Sequence, residues 1–338
     1  MIPASKENTV NDDRESMHKL VSKVLVLDDA STYVGSLKAF CEECGLVGIR
    51  ANQGGETGLM AVLRANVDLG GIMLYENFGG DLDRTLALAR QIHALRPELP
   101  VFLRRQSVAS VAGLAEKDAA MFRCAYTLAD LQQLKATLDD SIFSRFYPND
   151  LVRGISEITR ASLEALFRHC EVDVETPYLV KDRIIYGEVF TMITIESGWC
   201  RGYMMMQACE YAVIGLIRGG RDGAEAATFR DLNQVLGEAT NLIWGGFKNR
   251  YVGQSRAPDA TMQTQVPIVI NHHRRYISFG SDEPQLCLKY TLRDRSRPEA
   301  PSVPIYQRFI FNLCWAPDEF RENPSVESFV DSGELELF

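Results

Sequence analysis

The first 143 residues alternate short apolar runs with helical patterns, and this alternation restricts the fold more than any other feature of the chain. We predict strands at residues 23–27, 46–50, 69–75, 100–103 and 121–126. We predict helices at residues 33–41, 57–65, 82–95, 109–116 and 129–142. Short apolar strands that alternate with helices are typical of a parallel sheet covered on both faces. The sequence therefore predicts an N-terminal α/β domain, a doubly wound parallel five-stranded fold.

The first predicted strand ends in two acids, Asp28 and Asp29, within the run KVLVLDD. This run and the alternation of strands and helices after it resemble a two-component receiver domain over residues 21–143. The resemblance implies that the acidic pair helps to hold Mg²⁺ and that an Asp ending the third strand accepts phosphate. Here the acceptor position falls on Met73 or Tyr75, depending on register, and neither can form an acyl phosphate.

The other receiver groups are also absent, because the fourth strand ends in Leu-Arg-Arg and no Lys lies close to residues 126–128, where the receiver's Lys-Pro would follow the fifth strand. Phosphoryl transfer depends almost wholly on positioning and charge neutralisation, so their joint loss should abolish it. We interpret residues 21–143 as a pseudo-receiver used for docking or dimerisation, with a degenerate site at Asp28, Asp29 and Tyr75. Two carboxylates alone hold Mg²⁺ weakly, so no metal is expected there.

The second half of the chain changes to a mixed order of helices and strands. A helix is predicted at residues 151–169, a β-hairpin at 188–207, helices at 210–217 and 229–251, and strands at 265–270, 285–293 and 306–313. This order predicts an α+β domain whose antiparallel sheet carries helices on one side.

The predicted helix at residues 229–251 has two faces. Its apolar stripe consists of Phe229, Leu232, Leu236, Ala239 and Ile243. A second face carries Gln234, Glu238, Asn241, Gly245 and Lys248. Side chains three residues apart are neighbours on a helix, so Glu238 and Asn241 adjoin. Glycine within a helix costs roughly 1 kcal/mol relative to Ala, and one reason to keep Gly245 is close approach by another molecule.

Residues 148–316 resemble the CheX family of chemotaxis phosphatases, most clearly at Gly237-Glu238-Ala-Thr-Asn241-Leu-Ile-Trp-Gly245. Pro267 also fits the family pattern. The resemblance implies that Asn241 orients a water for in-line attack on an aspartyl phosphate and that Glu238 pairs with a Lys of the phosphorylated partner. The implied partner is a phosphorylated CheY-like response regulator, contacted also by Gln234, Gly245 and Lys248. Mg²⁺ would come with that partner, the chain would need no cofactor of its own, and homodimers would form through sheet edges.

Two alternatives stay open at this stage. In the first, both halves are docking modules of a non-catalytic signalling adaptor and Asn241 is inert. In the second, the pseudo-receiver regulates the phosphatase by occluding Glu238 until a partner binds.

The composition argues against two classes of protein, those that bind nucleic acids in general and those that span a membrane. The formal net charge of −9 argues against general nucleic-acid binding. No apolar run reaches the ~20 residues of a membrane helix, and most of the eight Cys lie in apolar segments, so we expect a cytoplasmic protein with reduced thiols. Residues 1–20 are expected to be mobile. Residues 317–338 form an acidic tail, either a solubilising segment or a tether for the partner.

Overall fold

The computed structural model describes residues 20–30, 34–50, 55–220, 227–252, 268–280 and 282–323. The strands are β1 (Ser22–Leu27), β2 (Leu46–Arg50), β3 (Leu69–Tyr75), β4 (Val101–Arg104), β5 (Cys124–Tyr126), β6 (Cys170–Val174), β7 (Tyr178–Val180), β8 (Val189–Glu196), β9 (Cys200–Ala208), β10 (Val269–Asn271), β11 (Tyr276–Ser278), β12 (Gln285–Asp294) and β13 (Val303–Trp315). The helices are α1 (Val34–Glu43), α2 (Gly55–Ala65), α3 (Leu82–Leu95), α4 (Glu116–Ala119), α5 (Leu131–Ser141), α6 (Asn149–Leu166), α7 (Glu210–Gly219) and α8 (Phe229–Tyr251). Residues 1–19 of the expected mobile segment, residues 324–338 of the acidic tail, and Pro267 lie outside the described residues.

The first half forms the predicted parallel sheet, with strand order β2-β1-β3-β4-β5. Every residue of β3 is buried, as expected for a strand with helices on both faces. The helix predicted at residues 109–116 is wrong: turns occupy this stretch, and the one-turn helix α4 follows them. Gly113 has a φ of +89°, a left-handed conformation that cannot continue a right-handed helix.

The second half forms an antiparallel sheet with strand order β6-β12-β13-β9-β8, and β7 also pairs with β12. Helices α6, α7 and α8 pack on one face, where side chains such as Leu286 and Leu288 of β12 join their apolar core. In the short pair β10–β11, β10 overlaps the strand predicted at residues 265–270, of which 265–267 lie outside the described residues. Strand β11 was not predicted, because it is brief and follows the polar residues 271–275.

Part of the opposite face of this sheet packs against the receiver-like half. Tyr178, Cys287 and Tyr306 pack with Val67 from that half in one buried cluster. Neighbouring residues in a strand point to opposite faces, so Cys287 lies on the other side of the sheet from Leu286. The receiver-like half and α8 therefore lie on opposite faces, and Glu238 is exposed, so the described part of that half does not occlude it.

Buried charged groups join the two halves. The guanidinium of Arg96, which follows α3, is ion-paired with Asp182 of the second half, and both side chains are buried. Arg308 of β13 is fully buried and donates to the carbonyl oxygens of Val67 at 2.8 Å and Asp182 at 3.0 Å. A buried charge is costly unless it is paired and hydrogen-bonded, and these contacts supply an ion pair and a hydrogen bond across the boundary between the halves.

Among the described helices, none has a stretch both long and apolar enough to cross a membrane.

Candidate functional site

Helix α8 matches its predicted bounds, and its two ends are held in different ways. At the N-terminus Thr228 and Asp231 form a capping box, in which the backbone N–H of Thr228 donates to Asp231 Oδ2 at 2.7 Å. The buried side chains are Leu232, Leu236, Ala239, Thr240, Ile243, Phe247 and Tyr251. The placement of Phe229 in the apolar stripe is wrong, since its side chain is 55% exposed. Phe229 points to the same side of α8 as the buried stripe. It belongs to the first turn of the helix, however, where the neighbouring elements no longer cover that side.

The second face of α8 is open, as the sequence predicted. The side chains of Gln234, Glu238, Asn241 and Lys248 are all exposed. A Cβ built on Gly245 would meet no atom within 4 Å. Packing within the described part of the chain therefore does not require a glycine at this position. The structure therefore brings all five predicted residues onto one accessible surface, which we call the α8 face.

Within the described residues, no hydrogen bond or ion pair engages the side chains of Glu238 and Asn241. A carboxylate and an amide left in water keep their full capacity to bind an incoming group, because no internal partner must first be displaced. The arrangement can accept a cation at Glu238 and can both donate and accept a hydrogen bond at Asn241.

Beneath this pair, two threonines attach α8 to the outer strand of the sheet. The hydroxyl oxygens of Thr240 and Thr191 lie 2.5 Å apart, and the Thr240 hydroxyl also donates to the Leu236 carbonyl at 2.8 Å. Thr240 lies between Glu238 and Asn241 in sequence, so this bond supports the turn that carries both. Sequence reasoning missed it, although a hydroxyl within an otherwise apolar stripe was a signal.

The C-terminus of α8 is capped by distant parts of the chain. The Trp199 indole N–H donates to the Tyr251 carbonyl at 3.1 Å. Asn323 donates from its backbone to the Arg250 carbonyl at 2.7 Å and from its side chain to the Asn249 carbonyl at 2.8 Å. The last turn of a helix leaves its carbonyls without helical partners, and here three of them are satisfied.

The start of the predicted acidic tail is thus part of the folded structure. Phe320 lies 5.1 Å from the Trp199 ring and 5.3 Å from the Tyr251 ring, measured between centroids. A short 3-10 turn, Pro317–Glu319, leads into this contact. Residues 317–323, the first seven of the predicted tail, therefore lie near the end of α8.

The degenerate receiver site is filled by an arginine. Arg104 donates to both carboxylate oxygens of Asp28, at 2.6 and 2.9 Å, and its guanidinium carbon lies 3.9 Å from the centroid of the Tyr75 ring. Burial disfavours the charged guanidinium, but the bonds to Asp28 outweigh burial and raise the pKa of Arg104. The register pairs Tyr75 with Arg104, which places Tyr75 rather than Met73 at the end of the third strand.

These residues do not fit a bound Mg²⁺. Arg104 occupies both oxygens of Asp28, while Asp29 accepts a bond from the Gly79 N–H at 3.3 Å. No group of three or more His, Cys, Asp or Glu among the described residues is placed to hold a metal ion. The sequence indicated lost chemistry here, but it did not show that Arg104 had become the internal counter-ion.

Replacing Arg104 by Ala is expected to destabilise the fold by about 3 kcal/mol, because Asp28, whose side chain is 8% exposed, would lose its cation. Urea unfolding measures the change. The matched control is Arg123→Ala, which removes an exposed ion pair with Asp140 and should change stability by less than about 1 kcal/mol. Equal effects of the two substitutions would contradict a structural role for the buried pair.

Comparisons with known proteins give structural neighbours only. No protein-family model matches the chain. No curated protein matches it. Among solved structures, it is similar to a CheC-like superfamily protein from Shewanella sp. PV-4, with 13% identity, coverage of 48% of this chain and 99% of the other, and a TM-score of 0.31.

Two further neighbours are similar to one or the other half. The chemotaxis protein CheX from Vibrio vulnificus has 13% identity and a TM-score of 0.30, covering 47% of this chain and 97% of the other. A response regulator from Thermotoga maritima has 19% identity and a TM-score of 0.27, covering 36% of this chain and 99% of the other. The neighbours thus include both CheX- or CheC-like chemotaxis proteins and receiver domains.

Proposed function

We propose that this chain is an aspartyl-phosphate phosphatase that acts on a phosphorylated CheY-like response regulator in cytoplasmic chemotaxis or motility signalling. The observation that carries the proposal is the pairing of Glu238 and Asn241 on an open face of a firmly anchored helix. The resemblance to the CheX family at Glu238-Ala-Thr-Asn241 requires this arrangement if the helix is to enter another protein's active site.

Asn241 would act on water. Its amide oxygen accepts a hydrogen bond from the water, and its amide nitrogen donates to a phosphoryl oxygen, so the water is held for in-line attack. An acyl phosphate is already labile, and positioning alone can supply a large part of the acceleration. The P–O bond to the aspartyl oxygen breaks as the bond to water forms, which releases inorganic phosphate and restores the carboxylate.

Glu238 would act on the partner rather than on the phosphate, because like charges repel. A carboxylate beside the site can form a charge-assisted bond with the partner's Lys. Gln234, Gly245 and Lys248 would contact the partner around this pair. Mg²⁺ would arrive with the partner, so the chain needs no cofactor of its own for this reaction.

We further propose that two copies pair through the edges of the antiparallel sheet. Strand β8 is an outer strand of that sheet and spans eight residues, and an edge of this length offers unpaired backbone groups for a second chain. Light scattering coupled to size exclusion tests this proposal, since a monomer at micromolar concentration would exclude it.

The central experiment measures phosphate release from phosphorylated CheY-type receivers with and without the chain. Acceleration well above the receiver's own hydrolysis supports the phosphatase. If the chain binds the phosphorylated receiver but adds nothing to its hydrolysis, the non-catalytic adaptor takes its place.

A further inference from the structure

One apolar side chain stands beside the polar groups of the α8 face. Leu242 is 40% exposed, although most large apolar side chains in this half are buried. At about 100° per residue it lies about 40° around the helix from Glu238 and about 60° from Gly245. Leu242 therefore borders the α8 face, one turn beyond Glu238.

The α8 face lies on one side of a helix, so its shape is convex and the matching hollow must belong to the partner. Glu238 and Lys248, of opposite charge, are both exposed on it. A complementary surface must therefore offer both a cation and an anion. The phosphorylated receiver of the proposed function supplies the cation as its active-site Lys, and the anion must come from an acidic side chain about 15 Å away, because ten residues of helix separate Glu238 from Lys248.

We infer that Leu242 is the apolar anchor that sets the affinity for the phosphorylated receiver, an inference that rests on the proposed function. Glu238 and Asn241 must give up water when they engage the partner, and their new bonds largely replace those they had with water. Burial of the exposed part of Leu242 has no such opposing loss, so it contributes net binding free energy. Thr240 anchors α8 from beneath and Asn323 anchors its end, so the helix that carries Leu242 is held in place.

Leu242 would contribute to docking and would touch no reacting atom. Its removal should therefore change KM, whereas removal of the Asn241 amide should change kcat. Leu242→Ala is expected to raise KM for the phosphorylated receiver about tenfold and to leave kcat within about twofold. Leu242→Met, which keeps apolar volume, should restore most of the affinity.

The matched control is Phe229→Ala. Phe229 is also an exposed apolar residue of α8, but it lies about 180° around the helix from Glu238. Its removal should leave KM unchanged. An unchanged KM in Leu242→Ala, or an equal rise in Phe229→Ala, would overturn the inference.

A binding assay keeps this result separate from the fate of the proposed activity. Fluorescence anisotropy measures the Kd of wild type, Leu242→Ala and Phe229→Ala for a CheY-type receiver carrying beryllofluoride, a stable mimic of the phosphoryl group. A tenfold weaker Kd in Leu242→Ala alone supports the anchor even if no phosphate release is found, in which case only the catalytic proposal fails. Equal Kd values for all three proteins, or no binding by wild type, would overturn the anchor.

Discussion

Asn241→Ala should reduce the chain's acceleration of phosphate release from a phosphorylated receiver by about 100-fold, the usual scale for removal of one positioned catalytic group. The side chain is exposed and, among the described residues, has no internal partner, so the fold should not change. The loss should appear in kcat, because without the amide the water has no fixed line of attack. Continuous phosphate detection under single-turnover conditions measures it.

Two further substitutions test the site around Asn241. Glu238→Ala should raise KM and lower kcat, because the partner's Lys would keep its contact with the phosphoryl group. Asn233→Ala is the matched control, because this exposed amide of α8 lies about 80° around the helix from Asn241 and outside the α8 face, and it should change either parameter by less than about threefold. If Asn241→Ala retains full activity, or if Asn233→Ala loses as much activity, the assignment of the catalytic residue is wrong.

Asp182→Ala is expected to destabilise the chain by about 3–5 kcal/mol, since it leaves the Arg96 guanidinium buried without its carboxylate. Burial and the nearby Arg308 already lower the pKa of Arg96, and the nearby Asp68 offsets only part of this, so the charged guanidinium is costly in this setting. Because the pair joins the two halves, both should lose stability together.

The tryptophans allow the unfolding of the second half to be followed separately in a test of this second prediction. Trp199, Trp244 and Trp315 are the only three in the chain, and all lie in the second half. Their fluorescence therefore reports that half during urea unfolding, while far-UV circular dichroism reports both. Coincident transitions, both shifted by Asp182→Ala, are expected. Separate transitions, or a shift no larger than that of the exposed-pair variant Glu164→Ala, would contradict a shared cooperative unit.

These results would also show whether the receiver-like half stabilises the second half. The two halves share a buried ion pair, and Arg104 fills the degenerate receiver site. Deletion of residues 21–143 would expose Arg308 and the apolar cluster around Tyr306, so a truncated second half is a poor test of regulation. Point variants in the full chain are the sharper tools.

Much of the fold could be predicted because its signals are local. The 3.6-residue repeat of α8 marked both its buried stripe and the face with Glu238 and Asn241. Apolar runs marked β1 and β3 equally well, since strands covered on both faces have few polar residues. Local patterns were least informative at residues 109–116, where the positive φ of Gly113 reflects a loop conformation that helical periodicity does not register.

The sequence by itself determined which residue types face outward together along α8, because helical geometry converts spacing directly into direction. Only the tertiary structure decided what anchors that helix and what replaced the receiver chemistry. Thr240 meets Thr191, Asn323 caps α8, and Arg104 neutralises Asp28 across separations of 49, 74 and 76 residues. Contacts between such distant residues follow from how strands and helices pack, and no periodicity along the chain records them.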